Sequence, residues 1–216
     1  MCLEYGLPHP SQLPSNPPSK QTFKKLAKSQ IISYWELKLR QEALFLPSLV
    51  YFKPEYSSLT TPHPIYLTAG SNPYEVAKAV VQGRMLSGRY RTEQLARHWS
   101  SNREGYCQGV MCDQICETLE HILLWCPSYS LTREKIVSLW LSNTIPFVSS
   151  LVTSILNGSS ISIVQFLLDA SSHPLVISLA QNLGSEVLKT IFHLTRTWCY
   201  SVHRHRAILL GRWCSY

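Results

Sequence analysis

Residues 107–126 read CQGVMCDQICETLEHILLWC and bring four cysteines and a histidine close together in the chain. Zinc in proteins takes four tetrahedral ligands, usually thiolates and imidazoles contributed as two close pairs. Cys107 with Cys112 and His121 with Cys126 have the spacing of two such pairs. The spacing therefore predicts a structural Zn²⁺ site in which all four ligands come from the protein.

Local features are expected to turn the two pairs toward one point. Gly109 allows the first loop to reverse its direction. In an α-helix, residues five apart are separated by about 140° of rotation, too much for His121 and Cys126 to meet. Pro127 disfavours helical geometry at the residue before it, which frees Cys126 to approach His121 from the helix end.

Three neighbouring residues bear on this assignment. Thr118 is placed to cap the helix of the second pair, and Glu117 to accept the spare imidazole proton.

Cys116 leaves an alternative open, because Cys112 with Cys116 also has the spacing of a first pair. We favour Cys107 with Cys112. The competing interpretation is a set of buried thiols without metal, since cysteine is among the most buried residue types.

Outward from this cluster, the sequence predicts a mainly α-helical chain. Asn72, Pro73 and Glu75 mark the start of a helix that should run to about Leu86. One apolar stripe predicts a long closing helix from Ser185 to about Arg212. Shorter helices are expected at residues 21–45, 131–141, 148–156, 161–168 and 175–181.

The helices group into three expected segments. Residues 1–70 form an irregular, proline-rich lead-in followed by a basic helix. Residues 71–145 hold a basic helix and the zinc-binding module, and residues 146–216 form an α-helical C-terminal segment. The expected architecture is thus a set of helices around a small zinc-binding knuckle, with a C-terminal helical bundle closed by one long helix.

The charge composition excludes a large group of enzymes. The 216 residues include 20 Lys and Arg against 13 Asp and Glu, a formal net charge of +7. Two-metal phosphoryl transfer needs several carboxylates around ions about 4 Å apart, and the aspartates, Asp113 and Asp169, are not adjacent. The sequence also lacks a Walker loop and a GxSxG motif. We therefore expect no polymerase, nuclease or other enzyme activity from this chain.

The amino-terminal residues bear on location. Met1 to Pro10 contain Glu4 and two prolines and lack the apolar core of a secretory signal. Clustered cysteines in an intracellular protein favour metal over disulfides. The uncharged stretch at residues 136–168 is interrupted by Pro146 and Gly158, which favours two short buried helices over a membrane span. We expect an intracellular protein of the nucleus, the cytoplasm or both, without membrane contact.

A basic segment precedes the first cysteine. Positive surface in a protein with few acids is typical of nucleic-acid binding. An exposed aromatic ring between arginines can also stack on an unpaired base. Six residues are predicted to contact nucleic acid: Arg84, Arg89, Tyr90, Arg91, Arg97 and Arg103. The competing interpretation is a solvated charged face with Tyr90 in the core.

The closing helix carries a second candidate basic face. Lys189, Arg196 and His203 recur every seven residues and are expected to share one outward side. We favour a plain exposed helix face over a second phosphate-contacting stripe. Three tryptophans occupy apolar stripes and are expected in the core: Trp35, Trp140 and Trp198.

Three segments carry a resemblance to a known family: RMLSGRYRTE at 84–93, HWSSNREGYC at 98–107 and ETLEHILLWCP at 117–127. They resemble the C-terminal region of non-LTR (LINE-type) retrotransposon reverse transcriptase polyproteins. The similarity extends from YGLPHP at 5–10 to LLGRW at 209–213. In that family a tail with a Cys-Cys-His-Cys zinc-binding motif follows the reverse transcriptase. The motif falls on these residues: Cys107, Cys112, His121 and Cys126.

The resemblance implies a non-catalytic tail that binds zinc and grips element RNA or target DNA near the polymerase. It implies two kinds of partner, nucleic acid and an upstream reverse transcriptase domain of the same polyprotein. The family's polymerase and endonuclease domains are absent from these residues, so the chain looks like a terminal fragment of such an element. The alternative function is a structural or protein-interaction helical module whose zinc knuckle never contacts nucleic acid.

Overall fold

The computed structural model describes these residues: 3–8, 16–56, 60–101, 104–143 and 146–211. Helices dominate these ranges, and no β-strand forms in them. Tyr106 and Cys116 form an isolated antiparallel bridge. The prediction of a mainly α-helical fold is confirmed.

The α-helices of the described ranges are α1 (Lys20–Phe45), α2 (Pro64–Leu67), α3 (Pro73–Leu86), α4 (Glu93–Arg97), α5 (Ser130–Asn143), α6 (Pro146–Leu156), α7 (Ser160–Leu168), α8 (Pro174–Leu183) and α9 (Ser185–Leu209). Each helix predicted from the sequence is found close to its expected ends. Asn72 caps α3 as predicted, because its Oδ1 accepts a hydrogen bond from the N–H of Tyr74 at 2.9 Å. Arg212, to which the last helix was expected to extend, lies outside the described residues.

The chain forms two compact units, residues 1–63 and 64–216. In the first unit, the hydroxyl of Tyr34 on α1 donates to Glu4 at 3.1 Å. Helix α1 buries none of its residues, and Trp35 is 43% exposed, so the expectation of a core position for Trp35 is wrong. The three-segment division remains a prediction.

The second unit is built around α9. This helix packs against α3, α5, α7 and α8 and buries the apolar stripe that the sequence predicts, including Val187, Ile191 and Val202. Trp198 on α9 and Trp140 on α5 pack with their ring centroids 5.0 Å apart. Within this unit the long helix therefore supplies the core against which α3, α5, α7 and α8 are positioned.

The uncharged stretch of the sequence forms short helices, as predicted. Residues 146–156 form α6 and residues 160–168 form α7. Leu151 and Ile155 of α6 and Phe166 of α7 are buried. Of the described helices, none combines the length and the apolar character that a membrane span requires.

Arg196 corrects the expected basic face of α9, because it is only 1% exposed. Its guanidinium donates to the carbonyl of Ile65 at 3.2 Å and to Oγ1 of Thr68 at 2.6 Å, and it lies 3.4 Å from the Glu75 carboxylate. The oxygen atoms of Ile65 and Thr68 at the end of α2 thus satisfy the terminal nitrogens in the interior, whereas Nε has no hydrogen-bond partner among the described residues. Lys189 and Arg196 therefore do not share an exposed face.

Candidate metal centre

A short hairpin carries the first two candidate ligands. The N–H of Cys107 donates to the carbonyl of Ile115 at 2.8 Å, and the N–H of Glu117 donates to the carbonyl of Gly105 at 3.0 Å. These bonds close a loop whose tip contains Cys112. The pairing places the Sγ atoms of Cys107 and Cys112 on one small turn.

Gly109 lies at a close approach within this turn. The N–H of Cys112 donates to the Gly109 carbonyl at 2.9 Å, and the N–H of Gly109 points at Sγ of Cys107 at 3.4 Å. A Cβ at Gly109 would collide with Oγ of Ser128 and lie 3.2 Å from Sγ of Cys112. The loop folds back at Gly109 as predicted, but the φ of Gly109 is not in the left-handed region, so space beside the Cys112 sulfur rather than backbone freedom favours glycine here.

A π-helical turn at residues His121–Trp125 brings the second pair together. The N–H of Cys126 donates to the carbonyl of His121 at 2.7 Å. Such an i→i+5 bond stacks residues that are five apart, which an α-helix would separate. The hydroxyl of Thr118 caps the turn, as predicted, by accepting the N–H of His121 at 3.0 Å. Cys126 has an extended ψ of 118°, in agreement with the effect expected of Pro127.

The four ligands predicted from the sequence form one buried cluster. One ligand atom from each of Cys107, Cys112, His121 and Cys126 lies within 4.8 Å of all the others. Sγ of Cys126 is 3.7 Å from Sγ of Cys107 and 3.5 Å from Sγ of Cys112. Two sulfurs bound tetrahedrally to zinc at about 2.3 Å are about 3.8 Å apart. The cluster therefore has the dimensions of a tetrahedral metal site.

Cys116 lies outside this cluster. It follows Ile115 on the returning arm of the hairpin, and its side chain is exposed. Among the described cysteines, Cys199 is also buried apart from the cluster, on α9, where its thiol donates to the carbonyl of Leu167. The structure thus assembles the favoured first pair and leaves the alternative pair with Cys116 unassembled.

Burial sets the protonation of the cluster. It raises the pKa of the Cys107 and Cys112 thiols and lowers the pKa of the His121 imidazole. The Nε2 atom of His121 is buried and has no hydrogen-bond partner among the described residues. A bound cation would displace the thiol protons and give Nε2 a partner, because metal ligands must be deprotonated. The site is chemically suited to a cation.

Glu117 does not take the role predicted for it. Its two carboxylate oxygens accept hydrogen bonds from Nε and a terminal nitrogen of Arg206, at 2.9 and 2.6 Å. It also accepts the backbone N–H of Glu93 at 2.6 Å. Within the described residues no hydrogen bond joins it to His121. The fork of Arg206 matches a carboxylate bidentately, and a buried guanidinium requires such a partner.

Tyr90 is buried, and this corrects its predicted role in base stacking. The side chain is 7% exposed, and its hydroxyl is hydrogen-bonded to Nδ1 of His203 at 3.2 Å. The guanidinium of Arg206 lies 5.6 Å from the ring centroid. Burial raises the pKa of Tyr90 to about 12, so the hydroxyl stays protonated at neutral pH. The ring packs in the core and presents no face to an unpaired base.

The arginines that were predicted to contact nucleic acid do not all lie together. Arg84, Arg89 and Arg91 are exposed and line one small cavity. Arg97 is exposed at the end of α4 and is not part of that cavity. Arg103 lies outside the described residues. The structure therefore brings three of the predicted residues together around Tyr90.

The cluster can hold one tetrahedral cation through three sulfurs and one nitrogen. All four coordination positions would come from protein, which is typical of structural rather than catalytic sites. Such an ion would tie the hairpin to the π-helical turn. No known protein family, curated protein or solved structure matches this chain.

Proposed function

We propose that this chain is a nucleic-acid-binding module stabilised by a structural zinc ion. The buried set of Cys107, Cys112, His121 and Cys126, with all four ligand atoms within 4.8 Å, carries the proposal. Three thiolates and an imidazole in tetrahedral arrangement suit zinc better than hard cations, which prefer oxygen ligands. A zinc ion bound here would cross-link the hairpin that carries Cys107 and Cys112 to the π-helical turn that carries His121 and Cys126.

The protein's own residues support that role. Nε2 of His121 is the ring nitrogen that is fully buried and has no partner among the described residues, so we assign it as the nitrogen ligand. The N–H of Gly109 points at Sγ of Cys107 and stabilises a thiolate there. The carbonyl of Cys126 accepts a hydrogen bond from Arg133 at 2.7 Å, which fixes the backbone of the last ligand.

The nucleic-acid part of the proposal rests on charge. The chain has a net charge of +7, and Arg84, Arg89 and Arg91 form no ion pair among the described residues. Phosphate contacts from such side chains supply sequence-independent affinity for nucleic acid. These three arginines surround Tyr90 and lie near the metal-binding hairpin, because Arg206 contacts both the Tyr90 ring and Glu117 of the hairpin.

The wider identity that we propose is the tail of a LINE-type retrotransposon reverse transcriptase. Its support is the sequence resemblance of residues 84–93, 98–107 and 117–127, together with the ligand set. In that setting the module binds RNA or DNA beside an upstream reverse transcriptase domain, in the nucleus or the cytoplasm. Its own contribution is binding rather than catalysis.

A second candidate is a protein-interaction module, favoured by apolar side chains around the cluster. Val110 and Met111 at the hairpin tip are 95% and 67% exposed, and Trp125 on the π-helical turn is 59% exposed. Exposed apolar residues that gather in one place mark interaction surfaces more often than scattered ones. This candidate keeps the metal and dispenses with nucleic acid.

The salt dependence of nucleic-acid binding separates the two candidates. If Arg84, Arg89 and Arg91 contact phosphates, the affinity for single-stranded RNA should fall with salt at a log–log slope of roughly −2. Arg89→Ala and Arg91→Ala should each reduce the steepness of the slope by roughly 0.7, because each variant releases one counterion fewer. Fluorescence anisotropy with a labelled RNA at several salt concentrations measures the slopes.

Lys189→Ala is the control, because Lys189 is exposed and lies about 21 Å along α9 from His203. This variant removes one positive charge of residues 64–216 away from the three arginines, so the salt dependence of RNA binding should stay unchanged. Slopes that the two arginine variants do not alter, or equally feeble binding by all proteins, would favour the protein-interaction module.

A further inference from the structure

A small basic cavity lies beside the connection from α3 to α4 and the end of α9. Its volume is about 240 Å³, and six residues of its lining carry the argument: Arg84, Arg89, Tyr90, Arg91, His203 and Arg206. Pockets for drug-sized ligands usually measure about 300–1,000 Å³. The cavity therefore has room for one small group rather than for a whole nucleotide.

The end of α3 explains why two arginines meet at this cavity. The N–H of Arg89 donates to the carbonyl of Arg84 at 2.9 Å, and the N–H of Gly88 donates to that of Met85 at 3.3 Å. Gly88 has a φ of +67°. These are the two bonds and the left-handed glycine of a Schellman motif. The motif folds the chain back so that residues five apart, Arg84 and Arg89, become neighbours.

Burial of Tyr90 fixes the next part of the wall. Its side chain is anchored by the hydrogen bond to His203, so the two residues that flank it, Arg89 and Arg91, are held at the surface and both line the cavity. Beneath them, Arg206 is held by Glu117 of the metal-binding hairpin. The hydrogen bond from Tyr90 to His203 and the ion pair of Arg206 with Glu117 therefore fix the floor of the cavity.

The cavity is electropositive. Glu117 and Glu93 lie 2.6 and 3.7 Å from Arg206 and neutralise it from below, but none of the described residues that line the cavity is acidic. Burial lowers the pKa of His203, and the charges of Arg206 and Arg84 lower it further, which indicates positive potential at this place. An anion in the cavity would relieve that potential.

We propose that this cavity is a phosphate-binding site in which the guanidinium groups of Arg84, Arg89 and Arg91 hold the oxygens of a phosphate in the cavity and, in a nucleic acid, those of the phosphates next to it in the strand. Guanidinium forks match phosphate geometry and form charge-assisted hydrogen bonds with it. This deepens the proposed function and rests on it in one respect, that the phosphate comes from a nucleic-acid backbone. Free phosphate compounds are the other source of the same chemistry.

The test is an NMR titration of the full, zinc-loaded chain with inorganic phosphate at constant ionic strength, balanced by sodium chloride. The ring signal of His203, assigned with His203→Gln, should shift and saturate. Arg89→Gln and Arg91→Gln should each weaken the fitted phosphate affinity about tenfold or more, because each removes charge-assisted hydrogen bonds. Lys189→Gln should change it less than about twofold, because an exposed distant charge is screened.

A short single-stranded RNA added to the phosphate-saturated protein distinguishes the sources. Displacement of phosphate by the RNA supports the site and its nucleic-acid source. Saturable phosphate binding without RNA binding supports the site and overturns the nucleic-acid function. RNA binding without saturable phosphate binding, or a shift that Arg89→Gln and Arg91→Gln leave unchanged, overturns the site.

Discussion

Replacing Cys126 by serine is expected to abolish metal binding and to lower the free energy of unfolding by at least about 4 kcal/mol. Sγ of Cys126 approaches both other sulfurs of the cluster, at 3.7 and 3.5 Å, so its loss removes the sulfur common to both contacts. Cys107→Ser and Cys112→Ser should have comparable effects. Cys116→Ser should leave both quantities nearly unchanged, because Cys116 is exposed outside the cluster.

Metal analysis by mass spectrometry and urea unfolding of the purified variants check this prediction. Treating the unsubstituted chain with a chelator should reproduce the destabilisation of Cys126→Ser. The ligand assignment would be wrong if Cys126→Ser retained a full complement of metal, or if Cys116→Ser lost it.

The second large effect is expected at the buried ion pair of Arg206 and Glu117, which are 6% and 1% exposed. Arg206→Met should cost about 3–5 kcal/mol of unfolding free energy, since it removes the cation that pairs with the buried carboxylates of Glu117 and Glu93. Glu117→Gln in the same protein should restore at least about 1 kcal/mol, because the neutral amide still accepts the N–H of Glu93.

The exposed pair of Lys189 and Glu186 is the matched control. Its nitrogen and oxygen are 2.7 Å apart, as close as in a good buried pair, but both side chains face solvent. Lys189→Ala should change the stability by no more than about 1 kcal/mol. Urea unfolding measures the free energy of unfolding of the unsubstituted chain, of Arg206→Met alone and with Glu117→Gln, and of Lys189→Ala. Equal costs for Arg206→Met and Lys189→Ala would show that the buried pair does not brace the hairpin.

The helices were predictable because their signals are local. Asn72, Pro73 and Glu75 define the start of α3 within four residues of sequence, and the stripe on α9 repeats along one helix. The metal ligands were predictable for the same reason, since all four lie within 20 residues. The π-helical turn was not foreseen, although a five-residue spacing between two ligands is the signal that an i→i+5 bond would satisfy.

The errors concern contacts between residues that are distant in the chain. Arg206 meets Glu117 across 89 residues, and Arg196 meets Thr68 across 128. Tyr90 meets His203 across 113. A sequence pattern shows which side of a helix is polar, but it does not show whether another helix covers that side. Arg196 and Tyr90, which are buried, therefore appeared as surface residues in the sequence.

The central claim, that the cluster of Cys107, Cys112, His121 and Cys126 holds a structural zinc ion, is tested most directly by X-ray absorption at the zinc edge of the purified full chain. We expect about one zinc per chain, with three sulfur neighbours at about 2.3 Å and one nitrogen neighbour at about 2.0–2.1 Å. Protein without zinc, or zinc surrounded by four sulfurs or by oxygen alone, would contradict the claim.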